Sequence, residues 1–175
     1  MDYEKNLQIM NDWYHAYSND IYKFILYMIH DHEQAKDLMQ DTFIRAYHNL
    51  DFFQEENTKG WLFRIARNIT IDFMRRKRPI YYMIDHSIFH PSQTLTPEQA
   101  LALNEQEKEL YMALTKLKRS YREVIILRKI KEFSIKETAQ ILGWSEGKIK
   151  TNLWRAMNSL KKQLEKEGYQ HESIK

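Results

Sequence analysis

Two rows of basic and amide side chains carry the chemistry legible in this chain, and a third, acidic row stands apart from them. After Ser145, the residues Lys148, Thr151, Arg155, Asn158 and Lys162 recur at helical spacing, with Ile149, Leu153, Ala156, Leu160 and Leu164 on the other side. Earlier in the chain Arg64, Arg67, Asn68, Ile71, Arg75 and Arg78 line up opposite Trp61, Leu62, Ile65, Ala66, Ile69 and Phe73. Guanidinium groups grip phosphate oxygens bidentately, and an aligned row engages one backbone at several points. An amide such as that of Asn68 can hydrogen-bond a base edge. Residues of these types and spacings could bind nucleic acid; each row also fits a solvated basic helix face.

The third row, Asp37, Gln40, Asp41, Ile44 and His48, is polar and acidic but interrupted by an isoleucine. It suits a protein contact, and a plain solvated face as well. Net charge is only +3, so its distribution matters more than its sum. Acids dominate from Asp31 to Glu56, where Lys36 and Arg45 are the basic residues, and bases dominate from Arg64 to Arg78, where Asp72 is the acid. A chain with faces of opposite sign meets different partners through each.

Catalysis is not expected. With no cysteine, disulfides, thiolate zinc sites and a redox thiol are excluded. There is no His-Glu-x-x-His and no phosphate-cradling glycine loop, and His30 and His32, two apart, do not share a helix face. His86 and His90 read as incidental, and neither metal nor cofactor is expected. The N-terminus, MDYEKNLQ, is not a secretory signal, and the apolar run from Ile25 to Ile29 is too short to span a bilayer. A cytoplasmic protein without membrane insertion is expected.

The elements that must position these rows are helices. Hydrophobic residues make up 43% and aromatics 13% of the chain, enough for packed cores, and four glycines and three prolines leave long runs uninterrupted. A first helix follows Met10, Trp13, Tyr14, Tyr17, Ile21, Ile25 and Met28, with a kink near Ser18-Asn19-Asp20 and its aromatics in the core. Asp31 caps a second, with Ala35, Leu38, Met39, Thr42, Phe43, Ala46 and Leu50 buried. After the loop DFFQEENT, Thr58 caps a third, which stops at Pro79. The stretch to Thr96 has linker composition, with Tyr81, Tyr82, Ile84, Ile88 and Phe89 available to pack.

Thr96-Pro97-Glu98-Gln99 is a helix start, continued by Leu103, Leu110, Leu114 and Leu117. Ser120 with Glu123 reads as a capping box before a helix that buries Val124, Leu127 and Ile130. Ser134 with Glu137 makes another; Ile135, Thr138, Ala139 and Leu142 share a face, Gly143 ends the helix, and Ser145 caps the next. Two capped helices around a tight turn form a helix-turn-helix, or equally an ordinary surface hairpin. The expected fold is all-α: two small helical domains, 1–79 and 97–175, joined by a flexible linker, 80–96, with the helix-turn-helix in the second.

Three segments resemble one family. DLMQDTFIRAY (Asp37 to Tyr47) and WLFRIARNITIDFMRR (Trp61 to Arg76) are similar to the second conserved region of the extracytoplasmic-function sigma factors of bacterial RNA polymerase. FSIKETAQILGWSEGKIKTNLWRAM (Phe133 to Met157) is similar to their fourth region. The segments occur in the family's order, with a linker between.

The resemblance implies a subunit that binds core RNA polymerase, directs it to two-part promoter DNA and helps open the strands in a stress or envelope response, without being an enzyme. It assigns Asp37, Gln40, Asp41 and Ile44 to the polymerase. Arg64, Asn68, Asp72, Arg75 and Arg76 go to the downstream element, and Phe52, Phe53, Asn57 and Trp61 are its candidates for the capture of an unstacked base, Phe53 and Asn57 first among them and Trp61 fitting the buried seam as well. Lys150, Thr151, Trp154 and Arg155 are assigned to the upstream element. Lys148 and Asn152, which stand where threonine and a basic residue are frequent, join them and bear on base preference. Family habit adds an anti-sigma partner and places the tether in the RNA exit path. A free-standing helix-turn-helix regulator would account for the last domain alone, but not for an acidic and a basic helix in one small first domain.

Overall fold

The structure, a computed structural model, describes residues 3–54, 56–83, 97, 101 and 103–168, and for residues 78–83 the backbone alone. Among these residues every regular element is helical, and no helix is long and apolar enough to cross a membrane. Expectations concerning Glu55, the side chains of Arg78, Tyr81 and Tyr82, residues 84–96, Glu98 and Gln99 lie outside the described residues. The chain divides into two compact units.

The first unit packs three helices pairwise: α1 (Tyr3–Ile29), α2 (His32–His48) and α3 (Thr58–Met83). Helix α1 continues without a break through Ser18-Asn19-Asp20. Its C-terminal part, from Ile21 to Met28, is buried on almost every side, whereas Trp13 and Tyr17 are half-buried and Tyr14 is exposed. The aromatics expected in the core therefore divide: neighbouring helices cover the last two turns of α1, while nearer its start Met10 is buried and the aromatics stay partly or largely open. Phe24 and Phe63, fully buried, meet at ring centroids 5.5 Å apart and tie α1 to α3; each such ring contributes roughly 1.5–3 kcal/mol by leaving water.

Between α1 and α2 the chain turns sharply, with His30 at φ 58°. Asp31 then caps α2, its carboxylate accepting from the Gln34 N–H at 3.0 Å. The Tyr22 hydroxyl meets His32 Nδ1 at 2.5 Å across this joint, and burial, reinforced by Glu33, pushes the phenol up to about 12. All seven residues expected on the buried side of α2 and its extension to Leu50 are buried.

Helix α3 departs from expectation in three ways. Asn57, not Thr58, caps it, accepting from the Gly60 N–H at 2.9 Å. Ile71, assigned above to the open basic face, is buried. The helix also continues through Pro79 to Met83. Proline hinders the turn preceding it through its ring and missing N–H, but its own φ is helical, so the residues that follow can remain in the helix.

The second unit contains α4 (Glu105–Thr115), α5 (Arg119–Ile125), a π-turn (Ile126–Ile130), α6 (Ile135–Leu142) as far as Ala139, and α7 (Glu146–Lys166). Helix α4 is a new start rather than the continuation of a helix through Leu103. Asn104 accepts from the Glu107 N–H at 2.9 Å, and the Glu107 carboxylate accepts from the Asn104 N–H at 2.9 Å. The Ser120–Glu123 box does not form. Lys118 occupies the cap position in extended conformation, so Ser120 falls inside α5. Glu123 is fully buried, 4.0 Å from the Arg119 Nε; burial pulls the neighbouring Arg122 down to about 10, against the opposing effect of Glu123. Val124 and Leu127 are buried and Ile130 half-buried.

The π-turn closes with the Lys131 N–H on the Ile126 carbonyl at 2.9 Å. Glu132 then takes φ 59°, and the Arg128 guanidinium donates to the Phe133 carbonyl. This reversal delivers the chain to Ser134. There the capping box is present, with the Glu137 N–H on Ser134 Oγ at 3.1 Å and the Ser134 N–H on the Glu137 carboxylate at 2.7 Å. Gly143, at φ 66°, ends α6, and the Trp144 N–H bonds the Ala139 carbonyl at 3.0 Å. Helix α7 packs its seam of Ile149, Ala156 and Leu160 against α5 and α4.

Candidate nucleic-acid interface

In the second unit, Ser145 sets the start of α7 by accepting from the Lys148 N–H at 3.2 Å. With the seam buried, Lys148, Lys150, Thr151, Trp154 and Arg155 are exposed. Lys148 places its ammonium 4.2 Å from the centre of the Trp144 ring, which anchors the charge at the helix start. Asn152 is half-buried, and its amide donates to the Lys148 carbonyl at 2.9 Å. The structure thus gathers the six residues assigned from the sequence onto one helix, five fully presented and Asn152 turned partly back to it.

In the first unit the basic row is less uniform. Arg64 and Arg67 are half-buried and engaged within the protein. Asn68, Asp72, Arg75 and Arg76 are exposed, with Arg76 Nε 3.4 Å from the Asp72 carbonyl. Asp72 and Arg76 line a groove of about 370 Å³ with Asp41, Ile44, Arg45, His48, Asn49 and Ile69. Asp41, Ile44 and His48 bring part of the acidic row into the same groove; Asp37, Gln40 and Asp41 are exposed, and Ile44 leaves 56% of its surface in solvent. Arg45 and Asn49 carry no signal in the sequence, and His48 stands on the acidic row without a role, because only the packing of α2 against α3 brings them beside Arg76.

The loop before α3 separates its adjacent phenylalanines. Through a short 3-10 turn (Leu50–Phe52), Phe53 is directed into a cluster with Trp13 and Trp61, at ring centroids of 5.1 and 4.8 Å. Phe52 points outward, 81% exposed. Asn57 holds the first turn of α3 through its cap. Of the four candidates for base capture, Phe53, Asn57 and Trp61 therefore already have partners within the protein, and Phe52 is the open ring of that loop. Neither helical nor strand periodicity extends through such a turn, so the sequence carries no signal for which of the two rings faces inward. Among the described residues no group of three or more histidines or carboxylates is placed to hold a metal ion.

These geometries coincide with known sequence families. Residues 13–80 match Sigma-70 region 2 and residues 107–160 match Sigma-70, region 4. The ECF RNA polymerase sigma factor SigX of Bacillus subtilis is 35% identical over 168 residues, spanning 93% of this chain and 85% of its own. The chain belongs to the ECF sigma factors. SigM of the same organism is 34% identical, over 87% of this sigma factor and 93% of SigM. Among solved structures, the sigma factor RpoE in complex with the anti-sigma factor NepR from Bartonella quintana superposes with a TM-score of 0.73 at 31% identity, covering 89% of this chain and 96% of that one. CnrH in complex with the cytosolic domain of CnrY matches with a TM-score of 0.61 at 27% identity, covering 94% of this chain and 90% of that one. This sigma factor is a transcription-initiation protein with the family's DNA-binding fourth region.

Proposed function

We propose that this sigma factor binds core RNA polymerase through α2 and directs it to promoters with two separated elements, one met by α3 and one by α7. Asp37, Gln40, Asp41 and Ile44 make the polymerase contact. Asn68, Asp72, Arg75 and Arg76, with Arg64 behind them, meet the downstream element, where strand opening begins, and the loop carrying Phe53 and Asn57 supports the displaced strand. Lys148, Lys150, Thr151, Asn152, Trp154 and Arg155 meet the upstream element. Phosphate contacts supply affinity and salt dependence, and base contacts supply selectivity. Residues 1–79 and 97–175 form the two working domains, and 80–96 the tether, whose first residues continue α3 as far as Met83. Nucleotidyl transfer stays with the polymerase, so the subunit is not an enzyme, and it works in the cytoplasm.

The observation that carries this reading is the division of the exposed surface: an acidic helix with an exposed isoleucine in one unit, and an exposed cationic helix opening on a capped turn in the other. Likeness to RpoE, solved with the anti-sigma factor NepR, and to CnrH, solved with the cytosolic domain of CnrY, supports an anti-sigma protein as a further partner; a role in a stress or envelope response is part of the same proposal. The test is transcription by reconstituted core enzyme on fragmented genomic DNA with and without this subunit, followed by sequencing of the 5′ ends. Transcripts that require the subunit and share a two-part upstream motif are expected. A protein that instead shifts a palindromic duplex without polymerase would be a free-standing regulator.

A further inference from the structure

The last two turns of α7 carry cations that neither the proposed DNA contacts nor the packing of the second unit uses. A groove of about 270 Å³ lies there between α7 and the joint of α4 with α5, lined by Lys116, Lys118, Lys162 and Lys166 together with Tyr121 and Ser159. All four lysines are exposed. Lys116 is matched by Glu167, and the Lys118 ammonium rests 4.1 Å from the centre of the Tyr121 ring. Lys162 and Lys166 have no ion-pair or hydrogen-bond partner among the described residues. They stand one helical turn apart, a spacing at which like charges repel, and Lys118 adds a third charge from the α4–α5 side. A concave surface of one sign focuses potential and concentrates counter-ions. One carboxylate, Glu167, is bonded to this set of four ammonium groups, so the groove is short of negative charge by itself.

The lining indicates which anion fits. Flat carboxylates are gripped by the planar fork of arginine, and among the described residues no arginine lines the groove. Lysine ammonium groups are point charges with three donors each, which gather around the many oxygens of linked phosphates, and the hydroxyls of Ser159 and Tyr121 supply neutral donors. The volume falls short of the roughly 300–1,000 Å³ that encloses a whole drug-sized ligand. Linked phosphates therefore fill the groove, and whatever they are attached to stays outside. We propose that this groove is a binding site for an oligophosphate chain, that of a nucleoside triphosphate or of free polyphosphate. Lys162 and Lys166 lie roughly 20 Å along α7 from Lys150 and Thr151, at 1.5 Å per residue. The site does not depend on the reading of α7 as the upstream-element helix, and mutation separates the two.

The test is calorimetric titration of the full chain with tripolyphosphate, ATP and orthophosphate at low and at physiological salt. Tripolyphosphate is expected to bind at a single site, at least about tenfold tighter than orthophosphate, and more weakly as salt rises. ATP binding as tightly as tripolyphosphate would assign the site to the phosphates alone, tighter binding would assign it to nucleotides, and weaker binding to free polyphosphate. Lys118→Gln with Lys166→Gln, one change on each side of the groove, should cost about tenfold in tripolyphosphate affinity and leave promoter binding by the holoenzyme unchanged. Lys118→Arg with Lys166→Arg, which keeps both charges, should retain most of the affinity. The proposal is overturned if tripolyphosphate and orthophosphate bind alike. It is also overturned if Lys150→Ala with Arg155→Ala lowers tripolyphosphate affinity as much as the groove pair does, because the anion would then be sampling a diffuse positive field. A glutamate peptide of equal charge that binds as tightly would overturn it by making the groove a docking surface for an acidic protein segment. Promoter binding weakened by Lys118→Gln with Lys166→Gln would overturn it by making the groove an extension of the DNA surface.

Discussion

Helices α3 and α7 both carry cationic rows, yet they offer them differently. Helix α3 packs against both α1 and α2, so only a narrow arc remains open. Arg64 and Arg67 are drawn partly inward, Ile71 is buried, and the open cations concentrate at Arg75, Arg76 and Lys77, with Arg76 in one groove with Asp41 and Asp72. Helix α7 leans on α4 and α5 through one seam and leaves a wide arc free, with its cations spread along it. On the proposed reading, a helix clamped on two sides offers few cations to nucleic acid, close to charges of opposite sign, so each counts heavily. A helix held along one seam shares the same work among many.

The largest effect that tests this contrast is expected from Arg75→Glu with Arg76→Glu. Promoter opening should fall roughly hundredfold or more, since contacts are lost and repulsion is added, while binding to core polymerase is unchanged. Run-off transcription that survives would end the view of α3 as the concentrated site. Next is Lys150→Ala with Arg155→Ala, which should weaken upstream-element binding about thirtyfold and reduce the salt slope by about two, one for each phosphate contact. A loss larger than that of the α3 pair would reverse the comparison.

Asp37→Lys with Asp41→Lys addresses the other side of the α3 groove. Affinity for core polymerase should fall about tenfold and DNA contacts should be spared; undiminished co-purification with core would remove α2 from the interface. Ser134→Ala deletes one half of a capping box and should destabilise the second unit by about 1 kcal/mol in denaturant melts. The first unit's transition should stay in place, which sharpens the distinction between the units.

The smallest effect is expected at Glu167, which pairs with Lys116 to tie the end of α7 to the end of α4. Burial acts to raise its pKa, but hydrogen bonds from Lys116 and Gln163 and the Lys116 charge outweigh that and hold the carboxyl below its usual 4.5. A depressed carboxylate contributes its stability fully above that ordinary value and loses it as pH falls through the lowered one. Glu167→Gln should therefore cost less than about 1 kcal/mol at neutral pH, because solvent screens the pair. The difference between variant and wild type should vanish in acid melts; a difference that grows as pH falls would show that another group governs the acid response.

Much of the fold was legible because its signals are local. The Ser134–Glu137 box, the Gly143 stop and the caps at Ser145 and Asp31 each depend on residues within one helical turn, where backbone geometry leaves few alternatives. Asn104 with Glu107 was equally readable by the same rule, but a longer apolar pattern running through Leu103 concealed it. At Ser120 and Thr58 the pattern existed and another residue won. Lys118 took the extended cap conformation at one, and Asn57 took the Gly60 N–H at the other.

By itself, the sequence determined an all-helical chain, its division into two units and the helix on which each chemical row stands, because periodicity and capping are properties of neighbouring residues. Tertiary structure alone decided how much of each row faces outward. Burial of Ile71, exposure of Tyr14, the inward turn of Phe53 against the outward Phe52, and the meeting of Arg76 with Asp41 in one groove all depend on which helix covers which. Those are contacts between residues distant in the chain, and a pattern read along one helix does not specify its neighbours.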